Sequence, residues 1–124
     1  MTVTPTRPNV RIAAAAVALD AVCILLFCAV GRRNHGEGVT VAGIAETAWP
    51  FLVGMIVGWL TSRGWRAPTA LRPTGVWVWA DTIAVGMGIR LGIGAGIAWS
   101  FILVATGATG LLLLGWRALA RAIR

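Results

Sequence analysis

The chain has 124 residues, of which 58% are hydrophobic and only 12% are charged, and its mean hydropathy is +0.82. Soluble domains typically carry about 25% charged residues, so this composition excludes an ordinary soluble fold. The formal net charge is +7, and all 11 basic residues are arginines. Because these arginines flank apolar runs instead of forming a basic face, we expect a lipid bilayer and no nucleic acid as the partner.

The chain begins with a short polar stretch followed by its first apolar segment. Residues 1–9 are rich in threonine and proline and are expected to form a disordered cytoplasmic tail. The apolar segment covers about 10–30 and carries Asp20 near its middle. It is longer than the roughly 7–15 apolar residues of a signal peptide, and Arg32 and Arg33 follow at once. The pattern therefore predicts a retained membrane helix.

Three further apolar segments are predicted, at about 39–61, 75–91 and 96–116. Lengths near ~20 residues match a hydrocarbon core of about 30 Å, and the third segment is the short one. A basic cytoplasmic tail is expected at 118–124. The predicted fold class is therefore all-α, with a four-transmembrane-helix bundle over residues 10–117.

The distribution of arginines predicts the orientation of these four spans. Cytoplasmic segments carry an excess of lysine and arginine. With four spans, one side holds eight arginines and the other holds three: Arg7, Arg11, Arg63, Arg66, Arg72, Arg117, Arg121 and Arg124 against Arg32, Arg33 and Arg90. The expected arrangement is two in-out-in hairpins with both termini in the cytoplasm, in a multi-pass protein of the cell (plasma) membrane.

The second segment carries a glutamate and a proline four residues apart, Glu46 and Pro50. A proline inside a helix has no N–H to donate, and its ring pushes against the carbonyl group four residues earlier, so Pro50 predicts a kink that frees the carbonyl of Glu46. An ionisable residue at membrane depth is by default a hypothesis of function. The alternative is that Glu46 lies shallow and only reaches the head groups.

Three acids are expected at different depths of the bilayer. With a rise of about 1.5 Å per residue, Asp20 lies about 15 Å deep near the midplane, Glu46 about 10 Å below the outer surface, and Asp81 about 9 Å above the inner one. No cation is expected at the depth of Asp20, whereas Arg90 is placed to pair with Glu46. The three acids are therefore candidate proton, cation or solute sites. The alternative is that they form hydrogen bonds between helices and hold the bundle together.

Glycines spaced four residues apart predict where helices approach closely. Gly54 and Gly58 in the second segment, and Gly88 and Gly92 in the third, form small-residue faces of the kind that pack membrane helices. In the outer loop, His35 beside Arg32 is a candidate for binding an anion or for sensing pH, although a loop histidine is more often simply solvated or caps a helix end.

The residues for common catalytic sites are missing from the sequence. The chain has one histidine, two serines, and two cysteines that lie five residues apart, at Cys23 and Cys28. This set supplies neither a recognisable nucleophile arrangement nor a metal-ligand spacing. We therefore expect no enzymatic activity, no catalytic residue, no cofactor and no metal.

Several short motifs resemble a family of small four-helix membrane proteins of unknown function that is common in actinobacteria. The motifs are Gly31-Arg32-x-x-His35, Trp49-Pro50-Phe51, Arg90, and the closing stretch from Phe101 to Gly115-Trp116-Arg117. The resemblance covers most of the chain from Asp20 to Arg117. It implies a membrane bundle, with Asp20, Arg32, His35, Pro50, Arg90 and Arg117 at motif positions, and it implies no reaction.

Two functions follow as hypotheses. The first is a small proton- or cation-linked carrier or permeation protein that uses the intramembrane carboxylates, above all Asp20 and Glu46. The alternative is a non-catalytic accessory or assembly subunit whose glycine faces dock a larger membrane complex. The expected protein partner is accordingly either a second copy of the chain, in a homo-oligomer, or a larger membrane protein.

Overall fold

The described part of the chain folds into four α-helices joined by short connections. A computed structural model describes residues 9–34, 36–95 and 98–123, and these ranges contain helices and connecting turns without strands. The helices are α1 (Val10–Asn34), α2 (Val41–Ser62), α3 (Val76–Gly92) and α4 (Trp99–Ala122). The predicted all-α fold is confirmed. His35 and almost all of the predicted N-terminal tail lie outside the described residues.

Polar residues outside the apolar segments set the ends of the first two helices. The side-chain oxygen of Asn9 accepts hydrogen bonds from two backbone N–H groups in the first turn of α1. The hydroxyl of Thr40 accepts one from the N–H of Gly43 in α2. Such caps satisfy donors that have no partner inside the helix. Arg63, with a φ of 53°, ends α2 in the left-handed conformation.

The helices differ from the predicted segments mainly at their ends. The first segment was expected to end near residue 30, but α1 continues to Asn34. The fourth begins at Trp99 instead of 96 and continues to Ala122. The basic cytoplasmic tail at 118–124 stays a prediction, and its residues up to Ala122 are helical. The alanines and leucine that follow Arg117 are good helix formers, and nothing among them ends the helix.

The closest contact between helices joins α2 to α3. An added Cβ at Gly54 would lie 2.5 Å from the carbonyl oxygen of Asp81, and one at Gly58 would lie 2.6 Å from Cα of Val78. The two backbones thus touch at both glycines, which is the packing that small residues permit. Gly88 and Gly92 differ, because an added Cβ at either would meet nothing within 4 Å among the described atoms.

Apolar side chains fill the interior and also cover much of the outside. Fully buried positions include Ile24, Phe51, Val78 and Leu113, one from each helix. Many large apolar residues are exposed on α1 and α4, among them Val22, Leu26, Leu103 and Leu111. Three helices, α1, α2 and α4, are long and apolar enough to cross a membrane, whereas α3 has only 17 residues.

Candidate functional site

One end of the bundle, the ion-pair end, is organised by Asp20 of α1 and Arg117 of α4. Arg117 donates from Nη1 to Oδ1 of Asp20 and from Nη2 to Oδ2, and both distances are 2.8 Å. This is the bidentate geometry in which a planar guanidinium matches a carboxylate. Both side chains have 0% exposure. The two charges therefore compensate each other inside the protein.

Two indole groups complete the surroundings of the carboxylate. The Nε1–H of Trp59 donates to Oδ2 of Asp20, and that of Trp116 donates to Oδ1, each over 2.9 Å. With the two bonds from Arg117, each carboxylate oxygen accepts two hydrogen bonds. The ionised carboxylate only accepts, so its hydrogen-bonding capacity is well matched by these donors.

Arg117 also ties other parts of the chain to this centre. Its Nε donates to the carbonyl oxygen of Pro68 over 3.1 Å, and Nη1 donates to that of Leu113 over 3.1 Å. Its guanidinium lies 4.4 Å from the ring centroid of Trp116, within the range of a cation–π contact. The cluster thereby connects α1, α2 and α4 to the segment that precedes α3.

The surroundings predicted for Asp20 have to be corrected. Asp20 does have a cation at its own level, because the long side chain of Arg117 extends into the bundle. Asp81 accepts a hydrogen bond from the hydroxyl of Thr61 over 2.7 Å. The backbone of Asp81 packs against Gly54 in the middle of α2. The expectation that Asp20 has no cation near it is wrong, whereas the ladder of three acids stays a prediction.

The opposite end of the bundle, the cavity end, contains a cavity of about 480 Å³. All four helices contribute to its walls, which combine cationic, hydroxyl and aromatic side chains: Phe27, Arg32, Thr47, Arg90, Ser100 and Phe101. Phe27, Phe51 and Phe101 pack together, with ring centroids 6.2–6.4 Å apart. Phe27 and Phe101 thus line the cavity and pack against the buried ring of Phe51.

Arg32 holds the connection between α1 and α2 beside the cavity. Its Nε donates to the carbonyl of Gly38 over 2.7 Å, and its Nη1 donates to the hydroxyl of Thr47 over 3.0 Å. Nη1 also lies 3.1 Å from a carboxylate oxygen of Glu37. An added Cβ at Gly43 would lie 2.6 Å from this guanidinium, so the glycine leaves the space that Arg32 occupies.

Arg90 forms the cationic wall on the α3 side. Its guanidinium lies 4.7 Å from the centroid of the Phe101 ring, and Nη2 donates to the carbonyl of Ala95 over 3.4 Å. The cavity thus has one arginine from α1 and another from α3. A negatively charged group that enters between them would approach two guanidinium groups, which are strong donors to carboxylates and phosphates.

Glu46 lies apart from both ends of the site. Its side chain is exposed on α2, whereas Pro50 is buried inside the same helix. The expected pair between Glu46 and Arg90 is not formed, because Arg90 is directed to the cavity. Within the described ranges, the ion pairs are Asp20–Arg117 and Arg32–Glu37.

Comparison with known families bears on the chain as a whole. Residues 17–120 match the model of a family described as "Protein of unknown function (DUF3054)". The chain belongs to the DUF3054 family. The resemblance to a family of unknown function is thereby confirmed, and the matched range includes both partners of the buried ion pair. No curated protein and no solved structure matches the chain.

The sequence did not predict that Trp59, Trp116 and Arg117 bind Asp20 in this DUF3054 protein. Trp59 and Trp116 stand near helix ends, where tryptophans usually face the head groups. Arg117 stands where arginines usually flank a membrane helix. The available signal was that the resemblance placed Asp20 and Arg117 together among the motif positions. It did not indicate that the two side chains meet.

The indole donors of this DUF3054 centre lead to a first testable prediction. Trp59→Phe keeps most of the apolar surface but removes the donor to Oδ2 of Asp20. Hydrogen bonds to charged groups contribute about 1.5–3 kcal/mol, so we expect the free energy of unfolding to fall by about that amount. Denaturant titration in detergent micelles measures the change. Trp77→Phe is the matched control because Trp77 is exposed, and a loss of equal size there would contradict the assignment.

Proposed function

We propose that this DUF3054 protein is a small solute carrier of the cell membrane, in which all four helices cross the bilayer. Three of them are long and apolar enough to do so. α3 packs along α2 and contributes Arg90 to the cavity, so it runs between the same two ends of the bundle. The helical turn at Leu71–Gly75 directly precedes α3 and adds to its length. These features support a fourth span.

The charge distribution supports an orientation with both termini in the cytoplasm. The ion-pair end carries the exposed arginines Arg11, Arg63, Arg66, Arg72 and Arg121. Arg117 no longer counts as a flanking charge because it is buried, but the excess of arginine at this end remains. By the positive-inside rule the ion-pair end faces the cytoplasm, and the cavity end faces outward.

The observation that carries the proposal is the contrast between the two ends of one bundle. The outward end holds a cavity lined by all four helices, whereas the cytoplasmic end is closed by Asp20 and Arg117. Phe27 at the cavity lies seven residues from Asp20, which is about 10 Å along α1. A carrier in its outward-facing state has this arrangement, with a binding site open on one side and a seal on the other.

The proposal changes the role expected for the intramembrane acids. Asp20 serves as half of the inner seal, because four hydrogen-bond donors hold its carboxylate in place. Asp81 fixes α3 to α2 through Thr61. Glu46 lies five residues from the start of α2, about 7 Å in, and its exposed carboxylate reaches the head groups. The solute therefore binds at the arginines of the cavity, and no enzymatic step is required.

Accessibility of an interior position tests the carrier. Thr109 on α4 is buried between the two ends. In a Cys23→Ala/Cys28→Ala background, Thr109→Cys is expected to react with a membrane-impermeant thiol reagent from the cytoplasmic side, because the seal opens in part of the population. The further substitutions Asp20→Asn and Arg117→Gln remove both charges of the seal. They should raise the rate at which Thr109→Cys is labelled about tenfold.

The matched control is Leu103→Cys on the same helix. Leu103 is exposed toward lipid, so it should stay unlabelled in every background unless the bundle has unfolded. If Thr109→Cys never reacts from the cytoplasm, with or without the seal, the carrier is rejected. The remaining candidate is then the accessory subunit, which needs no alternation between two faces.

A further inference from the structure

We infer that the cavity binds a monovalent organic anion with an apolar body, so that the solute of the proposed carrier belongs to this class. That this anion is transported rests on the proposed function, whereas its binding depends only on the cavity. Its charges set the sign of the ligand, its volume sets the size, and its aromatic walls set the polarity of the body.

The charged walls favour a single negative charge on the ligand. Arg32 and Arg90 contribute two positive charges, and Glu37 beside Arg32 contributes one negative charge. The described lining residues therefore carry one net positive charge. The side chain of Glu37 is 56% exposed, and its carboxylate already pairs with Nη1 of Arg32. A ligand anion therefore competes with Glu37 for the guanidinium.

The size and the remaining walls favour an organic ligand over an inorganic ion. A volume of about 480 Å³ falls in the range of about 300–1,000 Å³ that is typical of small-molecule sites. A phosphate ion would fill only a small part of it. Phe27, Phe101 and Val104 add apolar side chains to the lining of the cavity, and Ser100 adds a hydroxyl. The ligand therefore combines an anionic group with an apolar body.

Two kinds of ligand combine an anionic group with an apolar body. One is a free carboxylate from the outer solution. The other is an anionic lipid, because Val104 lines the cavity and is also exposed toward the surrounding bilayer. Both present an anion attached to an apolar body, and they differ only in whether the body continues into the membrane.

Benzoate is a suitable probe because it has one carboxylate and one aromatic ring. Calorimetric titration of the intact protein in phosphatidylcholine nanodiscs should show saturable binding of benzoate at one site, after subtraction of empty nanodiscs. Benzylammonium, which has the same ring and the opposite charge, should not bind. Inorganic phosphate should bind about tenfold more weakly, because it lacks the apolar body.

Two substitutions with opposite expected effects make the test specific. Arg90→Gln should weaken benzoate binding about tenfold by removing one cationic wall. Glu37→Gln should strengthen it, because Arg32 no longer pairs with a carboxylate. Arg33→Gln is the matched control because Arg33 is exposed and is not part of the described cavity lining. A weaker affinity for Glu37→Gln overturns the inference even if Arg90→Gln proves structural.

Benzoate binding in nanodiscs with and without phosphatidylglycerol distinguishes a lipid ligand from a free solute. If phosphatidylglycerol suppresses benzoate binding, the natural ligand is a lipid anion, and if it does not, the ligand is a free solute. Both results support the anion site. Absence of benzoate binding in both lipids, or equal binding of phosphate, overturns it. Benzoate binding without cytoplasmic labelling of Thr109→Cys rejects only the carrier, and labelling without binding rejects only the ligand class.

Discussion

Arg117→Gln is expected to lower the free energy of unfolding by about 3–5 kcal/mol, the cost of breaking a buried ion pair by removing one partner. The substitution leaves the carboxylate of Asp20 buried at 0% exposure without its compensating charge. It also removes the donor to the carbonyl of Pro68, which connects α4 to the segment before α3. Denaturant titration in micelles, followed by tryptophan fluorescence, measures the loss.

A double-mutant cycle separates the ion pair from the loss of side-chain packing. Asp20→Asn leaves the opposite uncompensated charge, so its cost should be of the same order. The variant Asp20→Asn/Arg117→Gln carries neither charge, and its destabilisation should be smaller than the sum of the two single effects by about 2–3 kcal/mol. Arg121→Gln, at an exposed arginine one turn later, should change stability by no more than about 0.5 kcal/mol. Strictly additive costs would show that the pair is not coupled.

The helices were predictable because membrane helices require long apolar runs. Each of the four runs became one helix, and the largest difference in bounds lies at the end of α4. That difference has a physical cause. The flanking rule assumes that an arginine at the end of an apolar run extends outward to the head groups. Arg117 instead extends inward to Asp20, and the helix continues through the helix-forming residues after it to Ala122.

The ion-pair centre was less predictable because it depends on contacts between distant parts of the chain. Asp20 and Arg117 are 97 residues apart. Depth counted from the start of each apolar run assumes that all helices begin at one level, and this placed Asp20 too far from Arg117. Trp59 and Trp116 fit the pattern of an interfacial belt, and only the folded bundle shows that their N–H groups turn inward.

The cavity depends on tertiary structure in the same way. Its two arginines lie in different hairpins, and the sequence alone suggested that Arg90 pairs with Glu46. The α2 helix places Glu46 on its exposed side, whereas Arg90 packs on Phe101. The rotation of a helix about its axis decides such pairings. A helix with apolar residues on most of its circumference gives a weak signal for that rotation.

Gly54→Ala and Gly58→Ala are each expected to destabilise the protein by about 1–3 kcal/mol, the usual cost of overpacking a tightly packed interior. An added methyl group would lie 2.5 Å from the Asp81 carbonyl oxygen at Gly54 and 2.6 Å from Cα of Val78 at Gly58. Both neighbours are backbone atoms and cannot rotate away as a side chain would. α2 and α3 must therefore move apart, which also loosens the contact between Thr61 and Asp81.

The same substitution in α3 provides the control. Gly88→Ala adds its methyl group where no described atom lies within 4 Å. Because alanine favours a helix over glycine by up to about 1 kcal/mol, this variant should be neutral or more stable. Thermal unfolding in micelles compares the variants, and Gly54→Ala and Gly88→Ala should shift the midpoint in opposite directions. If both raise it, the backbones of α2 and α3 are not in contact at Gly54, and the packing of this helix pair has to be revised.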